Sequence, residues 1–195
     1  MSSHKLLGLT IDHNFQWSEH IDTLNKKLAC SLYQLNKIKH FIDLHTKRIF
    51  YFAYIQTHLD YCANLWGHCA QSHLNRLVSL QRRALKAILV TTTIGPDDFK
   101  MLDILPLDKR THYNTCMLMH KIVHRKAPEY LIKHFPIKNS AYNSHADKVW
   151  VPKPKIDLFK SSFFYRGAMM WNDLPLSLRQ MQHLPGFKHA LAGYI

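Results

Sequence analysis

The chain has 195 residues, 47% of them apolar, with 26 Lys and Arg against 13 Asp and Glu and a formal net charge of +13. That is enough chain for one medium or two small packed domains, and the charge favours polyanionic partners, nucleic acid before an anionic membrane. No run approaches the ~18 apolar residues of a membrane span and the opening MSSHKLLGLTID lacks a secretory leader, so a cytoplasmic or nuclear chain with no membrane partner is expected.

In chain order, residues 5–12 (KLLGLTID) read as one short strand ending near Asp12. A single strand leaves its backbone unpaired, and no convincing partner follows. Ser18 is placed to cap a helix over 19–40, with Ile21, Leu24, Leu28, Leu32, Leu35, Ile38 and Ile42 on one face and Lys26 and Lys37 on the other. Asp43 is placed to cap a second helix reaching about Cys62, and Gly67 to close that stretch in a left-handed conformation. Ser72 is expected to cap a third helix through Val90. Its apolar arc is Leu74, Leu77, Val78, Ala84, Leu85, Ile88 and Leu89, and the opposite arc is Arg76, Arg82, Arg83 and Lys86, with Arg82 bordering the apolar side. The string TTTIGP (91–96) breaks the pattern, and Asp97–Asp98 reads as a helix start. Asp108 is an expected cap for a helix over 109–125, 137–154 reads as an irregular loop, and short helical pieces punctuated by Pro175 and Pro185 complete the chain. The fold class expected is mainly α: a helical bundle with a short N-terminal strand and an irregular α-helical C-terminal region.

Four strings then resemble one family in the right order. They are LGLTID with W-x-x-H (Gly8, Asp12, Trp17, His20), Y-x-x-x-x-W-G (Tyr61, Trp66, Gly67), LPLDKR…APEYL (Arg110, Pro128) and SFFYRGAMMWNDLPLSLR (Arg166, Trp171, Asn172, Pro175, Arg179). Together with the LNRLVSLQRRALKAIL helix they resemble the C-terminal part of reverse transcriptases from non-LTR, LINE-class retrotransposons of the jockey-like kind. Ala168 stands where that family often has Pro, and 139–154 matches it poorly. The resemblance implies a palm end at 1–17, a thumb-like helical region at 18–95, connector helices at 96–135, and a loop with an aromatic and basic region at 136–195. It also implies a truncated element copy without endonuclease, fingers or catalytic palm. The exposed strand surface would then favour self-association.

Little in the chain offers chemistry. A templated polymerase needs carboxylates converging on two divalent metals, and the family's Tyr/Phe-Ala-Asp-Asp string is absent. Asp97–Asp98 is the only acidic pair, and nothing around it supplies the rest. His120 and His124 have the i, i+4 spacing of a zinc site but no intervening Glu, which leaves them as surface or satisfied histidines. Cys30, Cys62, Cys69 and Cys116 form no C-x-x-C pair and are expected as buried reduced thiols. No catalytic residue, metal or cofactor is therefore expected. The expected function is non-catalytic and sequence-independent binding of RNA or DNA through Arg76, Arg82, Arg83, Lys86, Lys26 and Lys37, the thumb's grip on template–primer in the family it resembles. The alternative is a structural or protein-interaction module, or a decayed copy without selected function. Phe163 and Trp171 are expected to pack inward, with Arg166 holding a backbone or carboxylate partner.

Overall fold

In the computed structural model, residues 3–137 and 148–195 are described. Two compact units divide the chain, the first ending at Arg110 and the second running from Thr111 to Ile195. The fold is mainly α, with two short strands at the start.

The first unit opens with a correction. KLLGLTID is not one strand but a hairpin, β1 (Ser3–Leu6) antiparallel to β2 (Leu9–Asp12) with Leu6 opposite Leu9. Leu7 and Gly8 both take positive φ, 47° and 84°, the backbone that a two-residue turn needs to follow the strand twist. Apolar alternation conceals such a turn when its first residue is Leu rather than Asn or Asp. The Tyr61 hydroxyl donates to the Leu7 carbonyl, tying the turn down. Leu9 and Thr10 are buried, whereas Leu6 and Leu7 are exposed.

The N-cap of helix α1 (Ser18–Ile38) is Trp17, not Ser18. No side chain caps the helix; the turn ahead of it is tied by Asp12, whose carboxylate accepts from the N–H groups of Asn14, Gln16 and Trp17 at 3.1, 2.9 and 2.7 Å. Those bonds hold Trp17 at φ 67°, a left-handed conformation that L side chains seldom adopt. Ile21, Leu24, Leu28, Leu32 and Leu35 form the buried stripe, while Ile38 and Ile42 fall outside it. Asp43 caps α2 (Leu44–Tyr51) as expected, accepting from Thr46 N–H at 2.9 Å. A wider π turn (Phe52–Gln56) and α3 (Thr57–Asp60) continue it. Cys62, at φ 52°, is the left-handed residue before α4 (Ala63–Trp66); Gly67 has φ −68° and is buried, so it closes α4 in ordinary backbone.

Helix α5 (Gln71–Leu89) begins after Ala70, with Ser72 inside its first turn. It packs its apolar arc against α1. α6 (Pro96–Met101) starts at the acidic pair, where Asp98 accepts from Gly95 N–H at 2.7 Å. α7 (Leu107–Val123) starts two residues earlier than Asp108 suggests, because Pro106 O already accepts from Arg110 N–H.

In the second unit, α8 (Glu129–Ile132) precedes the expected loop, and α9 (Asp157–Lys160), α10 (Phe163–Asp173), α11 (Leu176–Arg179) and α12 (Leu184–Tyr194) are the short pieces expected after it. Ser162 caps α10, accepting from Tyr165 N–H. Residues 138–147, most of the expected loop, lie outside the described residues. The loop's far end is ordered by a β-bridge between Ile137 and Val149. Phe163 and Trp171 are buried as expected. Arg166 is exposed, and among the described residues no carboxylate faces it.

Candidate nucleic-acid interface

The structure sorts the sequence-predicted residues into anchors and cations. Asp12 holds the hairpin–helix corner, and Trp17 and Trp66 sandwich His20, with ring centroids 6.0 and 6.1 Å away. Burial and the nearby Lys27 charge hold the His20 imidazole below its usual pKa. Thr10 N–H points at its Nδ1 at 3.5 Å, which places the ring proton on Nε2. The Trp66 indole donates to Tyr61 O at 2.9 Å. Arg110 forks onto Asp60 at 2.8 and 2.7 Å. Arg179 is buried and donates to Leu174 O, while Asn172 exchanges two 2.9 Å bonds with the Val149 backbone. Gly8 makes a turn. Pro128 and Pro175 each precede a short helix.

Sequence reasoning passed over the residue that organises this unit, Gln81, buried on α5. Its amide nitrogen donates to the Tyr51 hydroxyl at 2.9 Å and to Leu105 O at 3.0 Å, and its oxygen accepts from Leu107 N–H at 3.0 Å. Tyr51 in turn donates to Gln56, and Gln56 to Asp60, which Arg110 meets from the other side. A glutamine within an otherwise apolar arc was the available signal. Burial pushes the Tyr51 phenol well above its ordinary pKa, so it remains a neutral donor.

The cations occupy the outer surfaces of α1 and α5. Lys26 and Lys37 are exposed opposite the α1 core stripe, and the Lys37 ammonium sits 5.3 Å over the Tyr33 ring. On α5, Arg76 forms a 2.7 Å ion pair with Asp22 of α1, which neutralises part of the predicted face. Arg82 and Arg83 are exposed and Lys86 is half-buried, the reverse of the expected order between Arg82 and Lys86. Among the described residues no carboxylate lies within ion-pair distance of Arg82, Arg83 or Lys86. What remains is an arc of unneutralised charge on a rigid helix. It can supply backbone-phosphate contacts but no bond-breaking chemistry.

The acidic pair is otherwise engaged, Asp98 in capping α6 and Asp97 4.0 Å from Lys100. Among the described residues, no three His, Cys, Asp or Glu side chains converge as a metal site would require. No described helix is long and apolar enough to cross a membrane. Of the cysteines, all free, only Cys116 is fully buried and Cys30 is exposed, which corrects the expectation of four buried thiols.

Comparison with known proteins gives one relative among curated sequences. The chain is 30% identical over 90 residues to the Probable RNA-directed DNA polymerase from transposon BS of Drosophila melanogaster. The match covers 45% of this chain and 10% of that protein. No protein-family profile matches the chain, and no solved structure matches it. The similarity supports a reverse-transcriptase-like relationship.

Proposed function

We propose that this chain corresponds to the post-palm, thumb-like part of a jockey-like non-LTR retrotransposon polymerase. It serves as a non-catalytic module that grips nucleic acid without reading its sequence. The observation that carries this is the α5 arc of Arg82, Arg83 and Lys86, left without carboxylate partners among the described residues while Arg76 is paired. The similarity to a transposon polymerase adds support, as do the motif residues Trp17 and Trp66, which share a buried core with the apolar arc of α5. Phosphate contacts of this kind give affinity that is independent of sequence and falls with salt.

The test is Arg83→Glu combined with Lys86→Glu, measured on two unrelated duplexes across a salt series. Each lost contact should flatten the slope of log affinity against log salt by about 0.9, with equal losses on both sequences. Unchanged affinity and slope would remove α5 as the binding surface. The interaction-module reading would then take over, on the exposed apolar residues Phe41, Ile49 and Tyr54 around α2.

A further inference from the structure

The second unit is the more basic, with twelve Lys and Arg after residue 110 against Glu129, Asp147, Asp157 and Asp173. Its most unusual surface feature is a tryptophan held in solvent. Trp17, Trp66 and Trp171 are buried, whereas Trp150 is 50% exposed. An exposed indole normally folds onto the nearest apolar surface, and here the backbone prevents it. Val149 is fully buried, and both its N–H and its carbonyl are held by the Asn172 side chain. Trp150 N–H donates to Pro136 O at 2.8 Å. In an extended chain successive side chains point to opposite faces, so burying Val149 turns Trp150 outward. Asn172 therefore sets the direction of the Trp150 side chain by holding the residue before it.

The cations beside this ring are placed to suit it. Lys148 is half-buried next to the anchored pair, and Lys153 and Lys155 are exposed beyond it. Val151 and Lys153 each precede a proline, which biases them to extended backbone. At about 3.1 Å per residue such a strand sets Lys153 and Lys155 about 9 and 15 Å along from Trp150. The next acid, Asp157, is engaged by Lys160 at 2.7 Å. We propose that Trp150 with Lys148, Lys153 and Lys155 is a stacking platform for an unpaired nucleic-acid strand, separate from the α5 arc. A lone ring flanked by ammonium groups suits one base face and its neighbouring phosphates. A duplex hides its base faces. Membrane insertion grows with buried apolar area, and one ring among lysines and prolines offers little.

The other three tryptophans are buried, so acrylamide-accessible emission of the full chain reports Trp150. Short oligo(dT) should quench that emission. Trp150→Ala should weaken oligo(dT) binding about 5- to 150-fold, the range expected for one stacked base, while duplex affinity and melting temperature stay unchanged. Trp150→Phe should retain most of the binding. The proposal fails if oligo(dT) binds without altering the exposed emission, or if Trp150→Ala binds it as the parent does. It also fails if phosphatidylserine vesicles shift the emission to the blue and oligo(dT) does nothing. Arg83→Glu with Lys86→Glu distinguishes this platform from the proposed α5 grip, since only that pair should reduce duplex binding.

Discussion

The two units satisfy their buried polar atoms in different ways. In the first, a line of neutral groups runs from Leu107 N–H through Gln81, Tyr51 and Gln56 to Asp60, where Arg110 closes it. In the second, α7 turns His112, Cys116, His120 and His124 inward at four-residue steps. His120 is fully buried, stacked 4.3 Å from Phe187, and bonded through Nε2 to Met181 O at 2.6 Å. Its Nδ1 and the Nε2 of His112 have no partner among the described residues. Amides and phenols keep their charge state across the physiological range, and imidazoles do not. The first unit is thus tied by groups indifferent to mild acid, apart from His20 and His58, whose imidazoles burial also depresses. The second rests on rings that must stay neutral.

Three measurements sharpen or break that contrast. The largest effect is expected from Trp171→Ala, which removes the indole packed edge-on to both histidines and against Phe187. The cavity should cost about 3–5 kcal/mol. Unchanged stability would mean that Trp171 is not a core anchor, and a loss of single-strand binding alone would mark it as a stacking surface.

Next is Gln81→Leu, similar in size but unable to hydrogen-bond. It removes the acceptor that Gln81 offers the Leu107 N–H and the donor that it offers the Leu105 carbonyl and the Tyr51 hydroxyl, at about 2–3 kcal/mol. Denaturant unfolding followed at Trp66 would register it. A variant as stable as the parent would show that water replaces the amide and that the polar line is not the unit's tie.

The smallest effect is acid. Burial holds His120 down at about 4, partly offset by its bond to Met181, and burial also lowers His112 against the pull of Asp173. A folded-state pKa below the unfolded value of 6.5 means that the unfolded chain takes up protons first. The stability from neutral His120 is complete above about pH 6.5 and is lost as pH falls toward 4. Near pH 5.5 the loss should be about 1 kcal/mol. Indole N–H resonances of Trp171 should therefore broaden or move before those of Trp66. The reverse order would overturn the contrast.

Elements that repeat along one helix were legible in the sequence. The α1 and α5 stripes needed only 3.6-residue periodicity, and Asp43 lay directly before the helix it caps. Cap positions failed where no side chain caps the helix, as at Trp17 and Ala70; at the first of these Asp12 ties the preceding turn instead. The hairpin stayed hidden because Leu7 carries a turn through its backbone angle rather than its residue type. The cation lists were legible as residues on faces, but not as paired or free: Arg76 lost its independence to Asp22, a neighbour on another helix.

The sequence by itself determined the helical class, the two apolar stripes, the excess of positive charge and the order of the motif strings, because each is a property of local spacing or simple composition. Tertiary structure alone decided which polar groups are inside. Gln81 reads as an ordinary polar residue, His120 as half of a zinc-like spacing and Asn172 as one letter of a motif, and the role of each is set only when folding removes water and leaves a defined partner from a distant segment. It also decided that Trp150 faces outward, since that direction is fixed by Asn172, twenty-two residues away in the sequence, and a hydrogen bond across such a distance leaves no periodic trace in the chain.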